Sequence, residues 1–120
     1  MFEYELVYSE RMENVMKIVG VAACPIGIAH TYMAAENIEK VCKARGFDVK
    51  METQGSIGME NELEASEIGA ADLVILAISV EIEERDRFDD KIVYEADVAK
   101  CVSNPDHILD EALKYYEERR

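Results

Sequence analysis

Two short runs without a single charge, Ile18-Val19-Gly20-Val21-Ala22-Ala23 and Leu73-Val74-Ile75-Leu76-Ala77-Ile78, constrain the fold of this chain more than any other feature. Runs of this length and β-branched content suit strands buried on both faces of a parallel sheet, whose edges must be joined by crossover connections. Those connections are legible. Ala34, Ile38, Val41 and Cys42 recur at i, i+4, i+7 and i+8, and Gly46 suits a C-terminal stop, so a helix is predicted over Thr31 to Arg45. Phe47 to Thr53 alternates with period two as a second strand, followed by a turn-rich loop, Gln54-Gly55-Ser56-Ile57-Gly58. Glu60 to Ala71 is helix-prone with acidic residues at its start, where the helix dipole favours them.

Beyond the second apolar run, Val80 to Asp90 reads as a charged loop, within which Glu81-Ile82-Glu83-Glu84 is expected to be solvated, and Lys91 to Tyr94 as a fourth strand. Val98 and Val102 suit a short helix. Asn104-Pro105-Asp106 opens a last one with Ile108, Leu109, Ala112, Leu113 and Tyr116 on one face. The alternation predicts an α/β fold, a three-layer α/β/α sandwich around a four-stranded parallel sheet of Rossmann-like or flavodoxin-like type. Residues 1–15 show no comparable run. They are expected to form a loose extension, with Met12 and Met16 as alternative starts and the domain proper over 16–120.

Composition excludes several functions. Thirteen Lys and Arg against 26 Asp and Glu leave a net charge of −13, which repels nucleic-acid backbone and anionic lipid. Neither is an expected partner. No apolar run approaches the roughly 20 residues of a membrane span, and Glu3, Glu5, Glu10 and Glu13 occupy the segment where a secretory signal needs a basic and then an apolar stretch. A cytoplasmic chain with no direct membrane insertion is expected. Cys24, Cys42 and Cys101 form no CxxC pair, which fits reduced thiols in a reducing compartment.

In a parallel sheet ligands gather at the carboxyl ends of the strands, which directs attention to the loops at 23–30, 54–58 and 79–87. The first of these, Cys24-Pro25-Ile26-Gly27-Ile28-Ala29-His30-Thr31, joins a strand to a helix start, where unpaired N–H groups and the helix dipole favour an anion. The same features favour a thiolate, so Cys24 is the candidate nucleophile. Gly27 can turn so that the amides of Gly27, Ile28, Ala29 and His30 converge on a phosphoryl group, with the Thr31 hydroxyl and the His30 imidazole as further donors. Gln54, Gly55, Ser56 and Gly58 are a candidate partner or substrate loop beside it. Cys42, on the apolar face of the first helix, and Cys101 read as small core residues, and His107 as structural. No cofactor or metal is called for.

Ala23-Cys24-Pro25-Ile26-Gly27-Ile28-Ala29-His30-Thr31-Tyr32-Met33-Ala34-Ala35-Glu36, Glu52-Thr53-Gln54-Gly55-Ser56-Ile57-Gly58, Ala71 to Ala77, and Arg87-Phe88 before Lys91 together resemble the IIB component of the fructose-specific sugar phosphotransferase system. The likeness runs from Met16 to about Leu113. It implies that Cys24 takes a phosphoryl group from a phosphohistidine on a IIA component and passes it to fructose or a related sugar entering through a membrane IIC component, at the inner face of the membrane. The chain departs from that pattern at Ile26, where threonine is expected, and at Ser79-Val80-Glu81, where an aspartate is expected.

Two other readings compete. A small tyrosine-phosphatase-like hydrolase also carries its cysteine in a strand-to-helix loop, C-x-x-x-x-x-R before serine or threonine; here His30 takes the arginine position and no aspartate is placed by sequence as the acid. A regulatory module that binds phosphate or senses oxidants through Cys24 would transfer nothing.

Overall fold

The computed structural model describes residues 15–25 and 29–120. The expectation of a loose extension over 1–15 therefore lies, but for Val15, outside the described residues. In chain order the elements are β1 (Lys17–Ala23), α1 (Ala29–Ala44), β2 (Asp48–Gly55), β3 (Gly58–Glu60), α2 (Ala65–Ala70), β4 (Leu73–Ile78), a 3₁₀ turn (Arg85–Phe88), β5 (Val93–Ala96), α3 (Val98–Ser103) and α4 (Pro105–Arg119).

The sheet runs β3-β2-β1-β4-β5. Strand β1 is central and pairs in parallel with β2 and β4, β4 pairs in parallel with β5, and β3 runs antiparallel at the edge. Both predicted apolar runs are thus inner strands. Alternate residues of β1 feed two cores: Ile18 and Ala22 pack with Ile38, Cys42, Ile108 and Leu109 beneath α1 and α4, while Val19, Val21 and Ala23 pack with Leu63, Ile68 and Phe88 on the other face. Helices on both faces of one sheet give the expected three layers.

The expected four-stranded, all-parallel sheet is corrected to a five-stranded mixed one. The segment read as a loop after the second strand is a hairpin: Gln54 and Gly55 end β2, Ser56-Ile57 make the turn, and Gly58 opens β3 opposite Gly55. Its tightness rests on Gly58, whose φ of +101° lies in the region that only glycine adopts without strain. The helix expected from Glu60 starts at Ala65 instead. Glu60 is held in β3, Asn61 takes a left-handed φ of +53° and donates its side-chain N–H to the Met51 carbonyl at 3.0 Å, so no helix can pass through it. The Glu64 N–H then donates to the Glu67 carboxylate at 2.8 Å, closing the start of α2.

The last strand lies two residues further on than Lys91 to Tyr94. Lys91 leaves the sheet to donate to the carbonyls of Gly69 and Ala71 at the end of α2, at 2.9 and 3.1 Å. The loop at 80–90 is likewise more ordered than its charge implies: Ile82 and Phe88 are buried, and the acidic run is tied down at both ends. Glu81 pairs with Arg85 at 3.0 Å, and the Glu83 backbone bonds to the Gln54 side chain.

Gly20 marks the tightest point of the sheet, since a Cβ there would stand 2.1 Å from the Ile75 carbonyl oxygen and 2.7 Å from Met51 Sδ. Backbone cannot yield as a side chain can. Gly20→Ala is expected to destabilise the fold by about 3 kcal/mol or more, read from urea unfolding with an unchanged m-value.

Candidate functional site

Strand register brings the functional loops to one edge. Ala23 is level with Gln54 on one side and Ile78 on the other, and Ala77 is level with Ala96. Cys24, Ser79 and Asp97 are therefore each the first residue beyond one of three adjacent parallel strands. They share a cavity of about 570 Å³ with Pro25, Ala29 and His30. A larger hollow of about 790 Å³ lies on another face, between α2 and the 3₁₀ turn; it contains no nucleophile, and its Arg87 is committed elsewhere.

Cys24 sits half-buried between β1 and α1, and the Thr31 hydroxyl donates to its Sγ at 3.1 Å. Thr31 is fully buried, so this donor is held in place by packing. A hydroxyl directed at sulfur favours the thiolate over the thiol. Thr31, expected to face a phosphoryl group, thus donates to the Cys24 sulfur itself. Ala29 and His30 open α1 and line the cavity, with their backbone N–H groups among those the helix leaves unpaired. Gly27 and Ile28, with Ile26, lie outside the described residues. Cys42 and Cys101 are buried in the core, and burial, their chief perturbation, pushes both thiols up to about 12.

The Gln54-to-Gly58 segment divides. Gln54 spends its amide on structure: Nε2 donates to Glu52 Oε2 at 2.9 Å and to the Glu83 carbonyl at 3.1 Å, and Oε1 accepts from the Glu83 N–H at 2.8 Å. Gly55 and Gly58 form the hairpin pair, while Ser56 and the 75% exposed Ile57 stand at its tip. Beneath them Glu52 is fully buried and accepts from Arg87 at 2.8 and 3.0 Å, from Gln54, and from the Leu63 N–H at 2.9 Å. Burial pushes this carboxyl up, but the bonds from Arg87, Gln54 and Leu63 outweigh it and hold Glu52 below its ordinary value of 4.5. The guanidinium of Arg87 is raised in turn, first of all by Glu52.

Residues 19–111 match the profile of the family described as "PTS system, Lactose/Cellobiose specific IIB subunit". The chain belongs to the phosphotransferase-system IIB family. Its similarity to relatives is with fructose-like members: it is 48% identical over 93 residues to the "PTS system fructose-like EIIB component 2" of Escherichia coli (strain K12), covering 78% of this chain and 88% of that one. It is 46% identical over 102 residues to the "Fructose-like PTS system EIIBC component" of the same strain, across 83% of this chain and 21% of that longer protein. The crystal structure of a domain from the fructose-specific IIABC component of Borrelia burgdorferi superposes with a TM-score of 0.79 at 46% identity, over 84% of this chain and 96% of that one. No described helix of this IIB chain is long and apolar enough to cross a membrane.

Two features of this IIB site escape a reading of the sequence. Asp97 reaches the cavity although no aspartate was expected there, because the last strand ends at Ala96 and not at Tyr94. Its signal was available: Asp97-Val98-Ala99-Lys100 reads as an N-cap, and the Asp97 carboxylate accepts from the Ala99 N–H at 3.1 Å. The Glu52–Arg87 pair was visible only as two charges 35 positions apart, with nothing in either segment to join them.

Thr31→Val keeps the shape of the buried side chain and removes the donor to sulfur. Without that donor the Cys24 thiolate is less favoured, and alkylation by iodoacetamide at neutral pH is expected to slow several-fold, roughly what losing one hydrogen bond costs. Because Glu52 is held below 4.5 in the folded chain, its contribution to stability is complete above that value and is lost as pH falls through the lower, folded value. Acid unfolding should therefore be shallower below about pH 4.5 in the double variant Glu52→Gln/Arg87→Met than in the wild type.

Proposed function

We propose that this IIB chain carries a phosphoryl group on Cys24, accepting it from a phosphohistidine of a IIA component and delivering it to fructose or a related sugar during uptake through IIC. The observation that carries the reading is the Thr31 hydroxyl on Cys24 Sγ, in a cysteine held at the carboxyl edge of the sheet just before a 16-residue helix. A thiolate so held can attack phosphorus in line with the leaving imidazole: the S–P bond forms as the N–P bond breaks, and the donor histidine keeps the electron pair. The amides of Gly27, Ile28, Ala29 and His30 stabilise the equatorial oxygens, and the His30 imidazole is a further donor.

In the second step a sugar hydroxyl attacks phosphorus, the S–P bond breaks, and the hydroxyl proton passes to a base supplied by the sugar's own site or by water. Thr31 then stabilises sulfur as the leaving group. Fructose as the sugar class is supported by the names of the relatives, and the fused EIIBC relative supports a IIC partner. The chain works in the cytoplasm, against the inner face of the membrane where IIC lies.

The presence of Asp97 in the cavity favours a second reading, that of a hydrolase, since it supplies the carboxyl the sequence did not place. One feature weighs against it: His30 stands where a phosphatase needs a bidentate arginine.

Incubation with a phosphorylated fructose-type IIA is expected to add one phosphoryl group to the chain by mass spectrometry, and Cys24→Ala to abolish it. Rapid turnover of an aryl phosphate, lost in Cys24→Ser, would instead establish the hydrolase.

A further inference from the structure

Asp97 takes no part in the transfer just described, yet it stands in the cavity that would receive the phosphoryl group. We propose that Asp97 sets the transfer potential of the phosphorylated cysteine: its carboxylate repels negative charge on Cys24, so that the bound phosphoryl group is held less tightly and moves on to its acceptor. The inference rests on the proposed function.

Geometry first fixes the charge. Asp97 follows β5 as Cys24 follows β1, with only β4 between them, and the bond from the Ala99 N–H keeps the carboxylate from swinging away. Nor is it neutralised. Among the described residues no lysine or arginine pairs with Asp97, whereas Glu81 and Glu95, which line another hollow, are both bound to Arg85, at 3.0 and 2.7 Å. The other polar groups that line the cavity are His30 from α1 and Ser79 after β4.

A cap does not require this charge. Asparagine and serine cap helices about as well as aspartate, so capping alone leaves the negative charge beside a phosphate-receiving thiol unexplained. Its effect has a definite sign. Asp97 is exposed, so solvent screens its charge in part, but across the cavity it shares with Cys24 it still disfavours both a thiolate and, more strongly, a phosphoryl dianion. The amides at the start of α1 pull the other way. A carrier needs this opposition, because an anion site without it would form phosphocysteine readily and release the group slowly.

Asp97→Asn and Asp97→Ser keep the cap while removing the charge, so either variant tests the idea if the other fails to fold. With phosphorylated IIA and this chain at equal concentrations, the equilibrium partition of phosphoryl between IIA and Cys24 is expected to shift toward Cys24 by about three-fold in both variants, and iodoacetamide alkylation of Cys24 to speed up by a smaller factor. An unchanged partition in folded variants of a chain that does take up the group overturns the role of Asp97 alone. A wild type that takes up no phosphoryl group overturns the carrier function and this inference with it. A slower approach to the same partition would make Asp97 a proton donor, and would equally count against a purely electrostatic role.

Discussion

A carboxylate with no exposure to water, Glu52 in β2, is the costliest group in this fold and the one around which its carboxyl edge is organised. A buried charge is tolerable only when hydrogen bonds replace its lost hydration, and Glu52 draws its donors from three separate places: Arg87 in the 3₁₀ turn, Gln54 at the end of its own strand, and the Leu63 N–H ahead of α2. The segments after β3 and after β4 are thereby fastened to the same strand. Removing one partner leaves the other buried and unpaired, typically a loss of about 3–5 kcal/mol, whereas an apolar replacement of both can be nearly neutral. The pair therefore specifies where the loops sit more than it adds to net stability.

That placement reaches the site through Gln54. Its side chain bridges Glu52 and the Glu83 backbone, so the segment from Ser79 to Glu84 is fixed against β2 across the end of β1. Ser79 is then held beside Cys24, its N–H donating to the Ala23 carbonyl at 3.1 Å. Arg87 lies over the ring of Phe88 at 4.9 Å, and Phe88 is itself buried in the second core, so the charged clamp and the apolar packing reinforce each other. The cavity has rigid walls on that side. In the proposed transfer, Cys24 would meet two different partners in turn, and such walls would spare the geometry from being rebuilt at each encounter.

Much of this was legible before any coordinates, and the reason is periodicity. Ile18 to Ala23 and Leu73 to Ile78 announce inner strands by their lack of charge, and the helix after the first of them could be read locally, so the position of Cys24 between the two was visible as well. What escaped depends on contacts between distant segments. The hairpin at Gly55 and Gly58 looks like a loop until its partner strand, only Gly58 to Glu60, is seen to pair with it. The end of the last strand depends on Lys91 being drawn off to the carbonyls of α2, and with that end goes the position of Asp97. Gln54 reads as part of a partner or substrate loop because that loop lies beside the cysteine loop; its bridge from Glu52 to Glu83 is invisible without the fold.

The three cysteines show how one side chain acquires opposite roles from its surroundings. Cys42 and Cys101 lie in the core, where burial is the chief cause that pushes their thiols up to about 12 and leaves them as small apolar groups. Cys24 lies a few residues away in sequence from that same core, but the end of β1 carries it to the rim, where a buried hydroxyl points at its sulfur and a helix begins. Burial is thus spent on Thr31 and not on the thiol. Holding the donor in the core and leaving Cys24 half-exposed is an arrangement in which a thiolate could be stabilised and still be reached.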